Sequence, residues 1–181
     1  ELFKPAIEAG ASMIEIGNFD SFYPKGRFFK ADEVLALTSQ TRRILPEVFL
    51  SVTVPHILPL HEQSQLALDL ISAGADLIQT EGGTSANPIS SGTLGLIEKA
   101  SPTLAATYAI SESLLKSGSS IPVICASGLS TVTIPMAFSV GASGVGVGAA
   151  VNRLNNELGM IAMIRSLRNS INQPINKTIN Y

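Results

Sequence analysis

Glu15 interrupts the apolar run Met13-Ile-Glu-Ile16, and Glu81 closes the run Leu77-Ile-Gln-Thr-Glu81 just ahead of Gly82 and Gly83. A carboxylate in such a run is costly to bury unless it is paired or put to use. Two carboxylates at one end of a sheet could serve as general base and general acid, provided their surroundings push their pKa values apart. The rival reading of Glu15 is an interior residue satisfied by Thr53 or Gln79. His56 follows Pro55 at the end of Leu50-Ser-Val-Thr-Val-Pro-His56. It could polarise a carbonyl or hydroxyl, or simply cap the next helix. Asn18, Asp20, Thr53 and Gln79 fall at the same ends and are candidates to touch a ligand. Thr107 and Tyr108 read as ending a further strand. His61, in polar sequence before a helix, reads as solvated, and Cys125, among apolar neighbours with no base nearby in sequence, reads as core.

A second group could hold an anion. Val123-Ile-Cys-Ala-Ser-Gly128 and Gly144-Val-Gly-Val-Gly-Ala-Ala150 end successive apolar runs in small residues. Phosphate-binding barrels place a phosphoryl group on backbone amides after their last two strands, where a Cβ would keep it away. Ser127, Gly128, Gly148 and Ala149 are the residues so assigned. The alternative is that Gly146 and Gly148 only relieve crowding in a barrel interior. No lysine ends a strand, which disfavours Schiff-base chemistry on the strands seen. No Cys or His cluster has zinc spacing, and no dinucleotide fingerprint opens a βα unit. Glu15, Asp20, His56 and Glu81 could together cage magnesium, but that set is compatible with many barrels, so neither a metal nor a cofactor is assigned.

The elements that must position these groups follow from periodicity. Three stretches, Glu8 to Gly17, Ser72 to Glu81 and Ser139 to Gly148, share one design: a helical pattern stops at a glycine and an apolar run follows at once. Strands are expected near 12–17, 48–54, 77–81, 103–107, 121–127 and 144–149, with helices over 31–45, 60–73 and 158–167. Alternating strands and helices imply right-handed crossovers and a parallel sheet. The two small-residue strand ends favour a closed barrel over an open doubly wound sheet and would be strands 7 and 8. At roughly 31 residues per βα unit, 181 residues make about six units. The expected fold is therefore an α/β parallel (β/α)8 TIM barrel, N-terminally truncated, with strands 3 to 8 in residues 1–168. Residues 169–181, rich in Asn, read as a flexible tail.

Residues 17–30 carry Phe19, Phe22, Tyr23, Phe28 and Phe29 together with Lys25 and Arg27. A loop of this length is usually functional. It could close as a lid whose Lys25 or Arg27 meets an anion, or its aromatics could join a second copy in a homo-oligomer. With 12 bases against 14 acids and no basic stripe, a nucleic-acid partner is not expected; no apolar run is long enough for a membrane span.

The motifs Met13-Ile-Glu-Ile-Gly-Asn-Phe-Asp-Ser-Phe-Tyr23, Leu50-Ser-Val-Thr-Val-Pro-His56, Gln79-Thr-Glu-Gly-Gly-Thr-Ser85 and Cys125-Ala-Ser-Gly-Leu-Ser130 resemble a family of plastids and cyanobacteria, hypothetical chloroplast reading frame twenty-three. The resemblance, which runs to about residue 168, implies an aldolase-type, ribulose-phosphate-binding kind of barrel, and a setting in the chloroplast stroma or cyanobacterial cytoplasm. It brings no reaction. The residues themselves suggest an isomerase- or lyase-type enzyme acting on a small phosphorylated metabolite. The alternative is a non-catalytic barrel that binds a metabolite or partner and regulates.

Overall fold

The computed structural model describes residues 3–171. Helices α1 (Phe3–Glu8), α2 (Ala31–Ile44), α3 (Leu60–Ser72), α4 (Gly92–Ser117), α5 (Ile134–Ser139), α6 (Ala149–Asn152) and α7 (Glu157–Ser170) alternate with strands β1 (Met13–Ile16), β2 (Phe49–Thr53), β3 (Leu77–Gln79), β4 (Val123–Ala126) and β5 (Gly144–Gly146). No helix among the described residues is long and apolar enough to cross a membrane.

The repeated glycine design builds the same joint three times. Gly10, Gly74 and Gly141 have φ of +101°, +101° and +100°. In each the next residue's N–H reaches back to close the helix, Ala11 to Ala6, Ala75 to Leu70 and Ala142 to Ala137. A fourth joint of this kind follows α4, where Gly118 has φ +75° and Ser119 N–H donates to Leu114. The first two read Ala-Gly-Ala, the third Val-Gly-Ala and the fourth Ser-Gly-Ser.

All five strands pair in parallel in the order β1-β2-β3-β4-β5. A doubly wound sheet must reverse its strand order partway, and this one does not. Consecutive helices α2, α3, α4 and α5 touch one another, so they lie along one face, as the helices of a barrel do. That face is the core: Ile14, Ile16, Leu50, Val52 and Ile78 pack with Val34, Leu66, Leu70, Ile110 and Leu114. The opposite face carries Glu15, Ser51, Thr53, Gln79, Ala126, Gly144 and Gly146 along the register.

Two expectations are corrected. Residues 103–107 are helix, so the described residues hold five strands and not six, and the numbering of strands 3 to 8 fails with the missing one. Thr107 and Tyr108 therefore lie on α4 rather than at a strand end. The β-branched run suggested a strand, but Ala100, Thr103, Ala106, Thr107, Ile110 and Leu114 are buried, a helical spacing whose stripe faces the sheet. Burial in β1 alternates, and Glu15 is on its exposed face. Helix α7 runs two residues past the expected boundary at 168, and the rest of the expected tail, 172–181, lies outside the described residues.

The joints differ in how tightly they are enclosed. A Cβ on Gly10 would meet nothing within 4 Å, whereas one on Gly74 would lie 2.7 Å from Cγ of Arg42. The Arg42 guanidinium is fixed on the carbonyls of Gly74, Leu45, Pro46 and Val48 and on Asp76. Gly10→Ala should cost about 1–2 kcal/mol from the left-handed backbone alone, and Gly74→Ala about 1 kcal/mol more from overpacking. Urea midpoints at unchanged m check this, and equal costs would count against it.

Candidate functional site

The loops that leave β1, β2 and β3 meet at one buried group of side chains. Asp20 sits in a short 3-10 turn, Phe19–Ser21, and its side chain is 3% exposed; that of Glu81 is 5% and that of His56 16%. His56 Nδ1 lies 3.0 Å from Asp20 Oδ1 and 3.4 Å from Glu81 Oε1. Asp20 Oδ2 accepts the backbone N–H groups of Gly82 and Thr84 at 3.1 and 3.2 Å. Glu81 Oε2 accepts the N–H of Asp20 at 3.1 Å, and Oε1 accepts the Tyr23 hydroxyl at 2.7 Å. Three loops from three strands are thus tied by two carboxylates and one imidazole.

The bonding favours one protonation state. Nδ1 faces two carboxylates and donates to them. Ser85 Oγ lies 3.0 Å from Asp20 Oδ1, 3.5 Å from the Gly82 carbonyl and 2.8 Å from His56 Nε2; with its one proton on the bond to Asp20, its oxygen accepts from Nε2 and the ring is an imidazolium. Burial alone would lower its pKa, but Asp20 and then Glu81 outweigh that and hold it raised to about 9. Burial likewise pushes the Asp20 carboxyl up, and its bonds to His56, Ser85 and Thr84 leave it below the usual value. The Tyr23 hydroxyl is pushed up by burial and by Glu81 beside it.

In front of this latch, at the strand ends, is a cavity of about 360 Å³ lined by residues that include Glu15, Asn18, Thr53, Gln79, Thr84, Ser127, Gly146 and Gly148. That is enough for a small metabolite. Glu15 Oε1 accepts from Gln79 Nε2 at 2.8 Å and from Thr53 Oγ1 at 3.3 Å. Gly17 leaves room for this fold-back, since a Cβ there would overlap both Thr53 Oγ1 and Glu15 Oε1. Glu15 is thus both an exposed group and the partner of Thr53 and Gln79.

The small residues after β4 and β5 divide by role. Ser127 and Gly148 line the cavity; Gly128 and Ala149 are not on its wall. Ser127 and Gly128 both have φ +75°. A Cβ on Gly128 would lie 2.8 Å from Cα of Gly83 and 2.8 Å from the Lys99 carbonyl, so its size serves the crossing of two loops. Gly144 and Gly146 make room for Ile124 and Ala126, whereas a Cβ on Gly148 would meet nothing.

The aromatic segment is only partly folded in, with Phe22 and Phe28 exposed. Phe19 is buried and packs on Phe29, Tyr23 stacks on Phe28 and lies 5.3 Å from the His56 ring. Neither Lys25 nor Arg27 reaches the cavity. Lys25 Nζ sits 6.0 Å over the Phe22 ring, and Arg27 lies over Phe29 while paired with Glu33. Cys125 is buried, with burial raising its pKa, and His61 is exposed.

Two features were not legible beforehand. Ser85 and the Tyr23 hydroxyl complete the latch, although only the aromatic character of Tyr23 and the run Gly82-Gly83-Thr84-Ser85 hinted at them. Thr80, Thr103 and Thr107 form a buried hydroxyl seam joining α4 to β3, and Thr103 also donates to the Ala126 carbonyl at 2.6 Å. Donor atoms of Asp20, His56 and Glu81 lie within 4.8 Å of one another, a spacing a divalent cation could bridge. Yet N–H groups of Asp20, Gly82 and Thr84 and the Tyr23 hydroxyl already point their hydrogens at those oxygens. The donor set suits an imidazolium better than a metal.

The pH dependence follows from the latch. The raised His56 pKa stabilises the fold fully below 6.5, and this is lost as pH rises through about 9. The lowered Asp20 pKa stabilises it above 3.8 and is lost as pH falls below that. His56→Gln should cost about 2 kcal/mol at pH 6, with the coupling discounted for partial exposure. It should also flatten the alkaline fall in the urea midpoint. A variant that keeps the wild-type slope between pH 6.5 and 9 would contradict the assignment.

With this geometry established, the chain can be set beside known proteins. Over 176 residues it is 41% identical to a protein of Pyropia yezoensis and over 173 residues 47% identical to one of Cyanophora paradoxa, both named "Uncharacterized protein ycf23". The matches take in 96% and 95% of this chain, and it spans 63% and 68% of those relatives. The ycf23 proteins are encoded in algal plastid genomes, which gives the chain a plastid setting. Among solved structures, a 2,3-dimethylmalate lyase superposes with a TM-score of 0.65 at 13% identity, over 93% of this chain and 59% of that one. A putative phosphonomutase from Burkholderia cenocepacia J2315 gives 0.61 at 15%, over 94% and 71%. At such identities these likenesses speak for the fold, a parallel α/β fold like that of lyase-type barrels. Residues 1–177 match the family described as "Protein of unknown function (DUF561)", and the chain belongs to that family.

Proposed function

We propose that this chain is the ligand-binding part of a lyase- or isomerase-type barrel enzyme acting on a small phosphorylated metabolite. The observation that carries the reading is the cavity itself. At one side Glu15 presents an oxygen with no partner among the described residues, held in place through its other oxygen by Gln79 and Thr53. At the other side, Ser127, whose hydroxyl lies 3.4 Å from Thr84 Oγ1, and Gly148, where a Cβ would meet nothing, line the wall. Glu15 would transfer the proton. His56, Glu81 and Asp20 would act by positioning the loops, since their polar atoms are engaged with one another. Ser127 and Gly148 would hold the phosphoryl group, with Gly128 and Ala149 shaping the turns behind it. The carboxylate and the anion are compatible because β1 and β4 are three strand spacings apart, up to about 14 Å along the sheet. Screening weakens repulsion beyond about 8–10 Å.

We infer further that the five strands belong to a closed (β/α)8 barrel whose other strands lie outside the described residues. The unreversed strand order and one-sided helices support this, as do the sheet edges at β1 and β5, which have no strand partner among the described residues and which proteins ordinarily cover or pair. The non-catalytic reading keeps one observation in its favour: of the three expected catalytic residues, Glu81 and His56 are occupied in the latch. Binding without turnover would favour it.

A thermal-shift screen of small phosphate esters tests the reading. A ligand at 100 times its dissociation constant should stabilise the protein by about 2.7 kcal/mol. With that ligand at saturation, Glu15→Gln should lower kcat by about a hundredfold or more; unchanged turnover would sink the assignment of Glu15.

A further inference from the structure

We infer that the cavity selects a ligand with several hydroxyl donors at its non-phosphorylated end, a small polyol or sugar phosphate, and rejects a carboxylate there. The inference rests on the phosphate-ester reading above and comes from the hydrogen-bonding capacity left over at β1 and β3.

Gln79 Nε2 is spent on Glu15 Oε1 at 2.8 Å and on Thr53 Oγ1 at 3.3 Å. The amide cannot be turned round, because its oxygen would then face a carboxylate. Its Oε1 therefore remains as an acceptor with no partner among the described residues. Thr53 has one proton, and it goes to Glu15. Glu15 Oε2 is a second acceptor left free. Asn18 contributes a third. It has φ +59°, and its side chain makes no bond to the turn it precedes. It also lines the cavity, with both an acceptor and a donor to offer.

The subsite is thus rich in acceptors: the cavity wall carries three carboxylates, Glu15 and the latch residues Asp20 and Glu81, and no lysine or arginine, and of the three only Glu15 has an oxygen without a partner on the β1 and β3 side. Lys25 and Arg27, the cations expected nearest to it, lie over the aromatic rings of their own loop. A hydroxyl can donate to Glu15 Oε2 or Gln79 Oε1 while accepting from the Asn18 amide. A ligand carboxylate would meet two bare acceptors, one of them of like charge, and a single amide donor. An ammonium would answer Glu15, but it is one point charge facing acceptors spread over β1, its following residue 18 and β3. Several hydroxyls along a carbon chain match that spread better.

Isothermal titration calorimetry on the chain tests this, with and without magnesium. The probes are inorganic phosphate, ethyl phosphate, ribitol 5-phosphate, phosphoglycolate, phosphoethanolamine and free ribitol. Ribitol 5-phosphate should bind at least tenfold tighter than ethyl phosphate. Glu15→Gln and Asn18→Gly, the second of which keeps the left-handed backbone accessible, should each erase most of that margin and leave inorganic phosphate binding unchanged. Phosphoglycolate binding as tightly as ribitol 5-phosphate, with or without magnesium, overturns the proposal; so does phosphoethanolamine binding tightest, or ethyl phosphate binding equally well. Free ribitol binding as well as its phosphate ester would remove the phosphate reading and leave the polyol subsite standing. No binding of any probe overturns both.

Discussion

The site is organised around one charged hydrogen-bonded group, the His56 imidazolium held between Asp20 and Glu81. Burying a carboxylate is costly, and burying two close together would be costlier without a cation between them. The imidazolium supplies that cation, and backbone N–H groups of Asp20, Gly82 and Thr84 take up remaining lone pairs. Because each partner comes from the loop after a different strand, the same bonds that satisfy the charges also fix those loops against one another. The walls of the cavity inherit their shape from this arrangement.

Close backbone contact continues the arrangement on the other side. Gly83 and Gly128 cross so tightly that a Cβ on either would collide with the other loop. Beneath them, the threonine seam fastens α4 to the ends of β3 and β4. The sheet thus presents a rigid rim, with Glu15 and Ser127 set on opposite sides of one opening. A carboxylate braced by an amide and a hydroxyl, facing small residues across a cavity, is an arrangement suited to proton transfer on a small bound molecule.

Much of the frame was legible in the residues. The three Gly-Ala joints read correctly because only glycine enters the left-handed region without strain, and the apolar runs after them had to be strands. Residues 103–107 misled because Thr is favoured in strands, and the buried stripe that makes them helical is visible only once the facing sheet is known. Glu15 was legible as a polar residue inside a strand, but its exposure on one face of β1 depends on what packs against the sheet.

What the sequence by itself determined was the alternation of helix and strand, the end of the sheet at which polar groups gather, and most of their identities. Asp20, His56, Glu81 and Ser127 all follow strand ends for the local reason that strands stop where apolar runs stop, and Glu15 stands inside β1. Only the tertiary structure decided which of them face the cavity and which face each other. Asp20, Tyr23, His56, Glu81 and Ser85 lie up to 65 residues apart. The same carboxylate type serves as an exposed acceptor at 15 and as a buried latch at 81, and the choice depends on neighbours brought in by other strands. Local propensity fixes where a side chain starts; burial and the partners arriving from distant loops fix its charge, its orientation and its role.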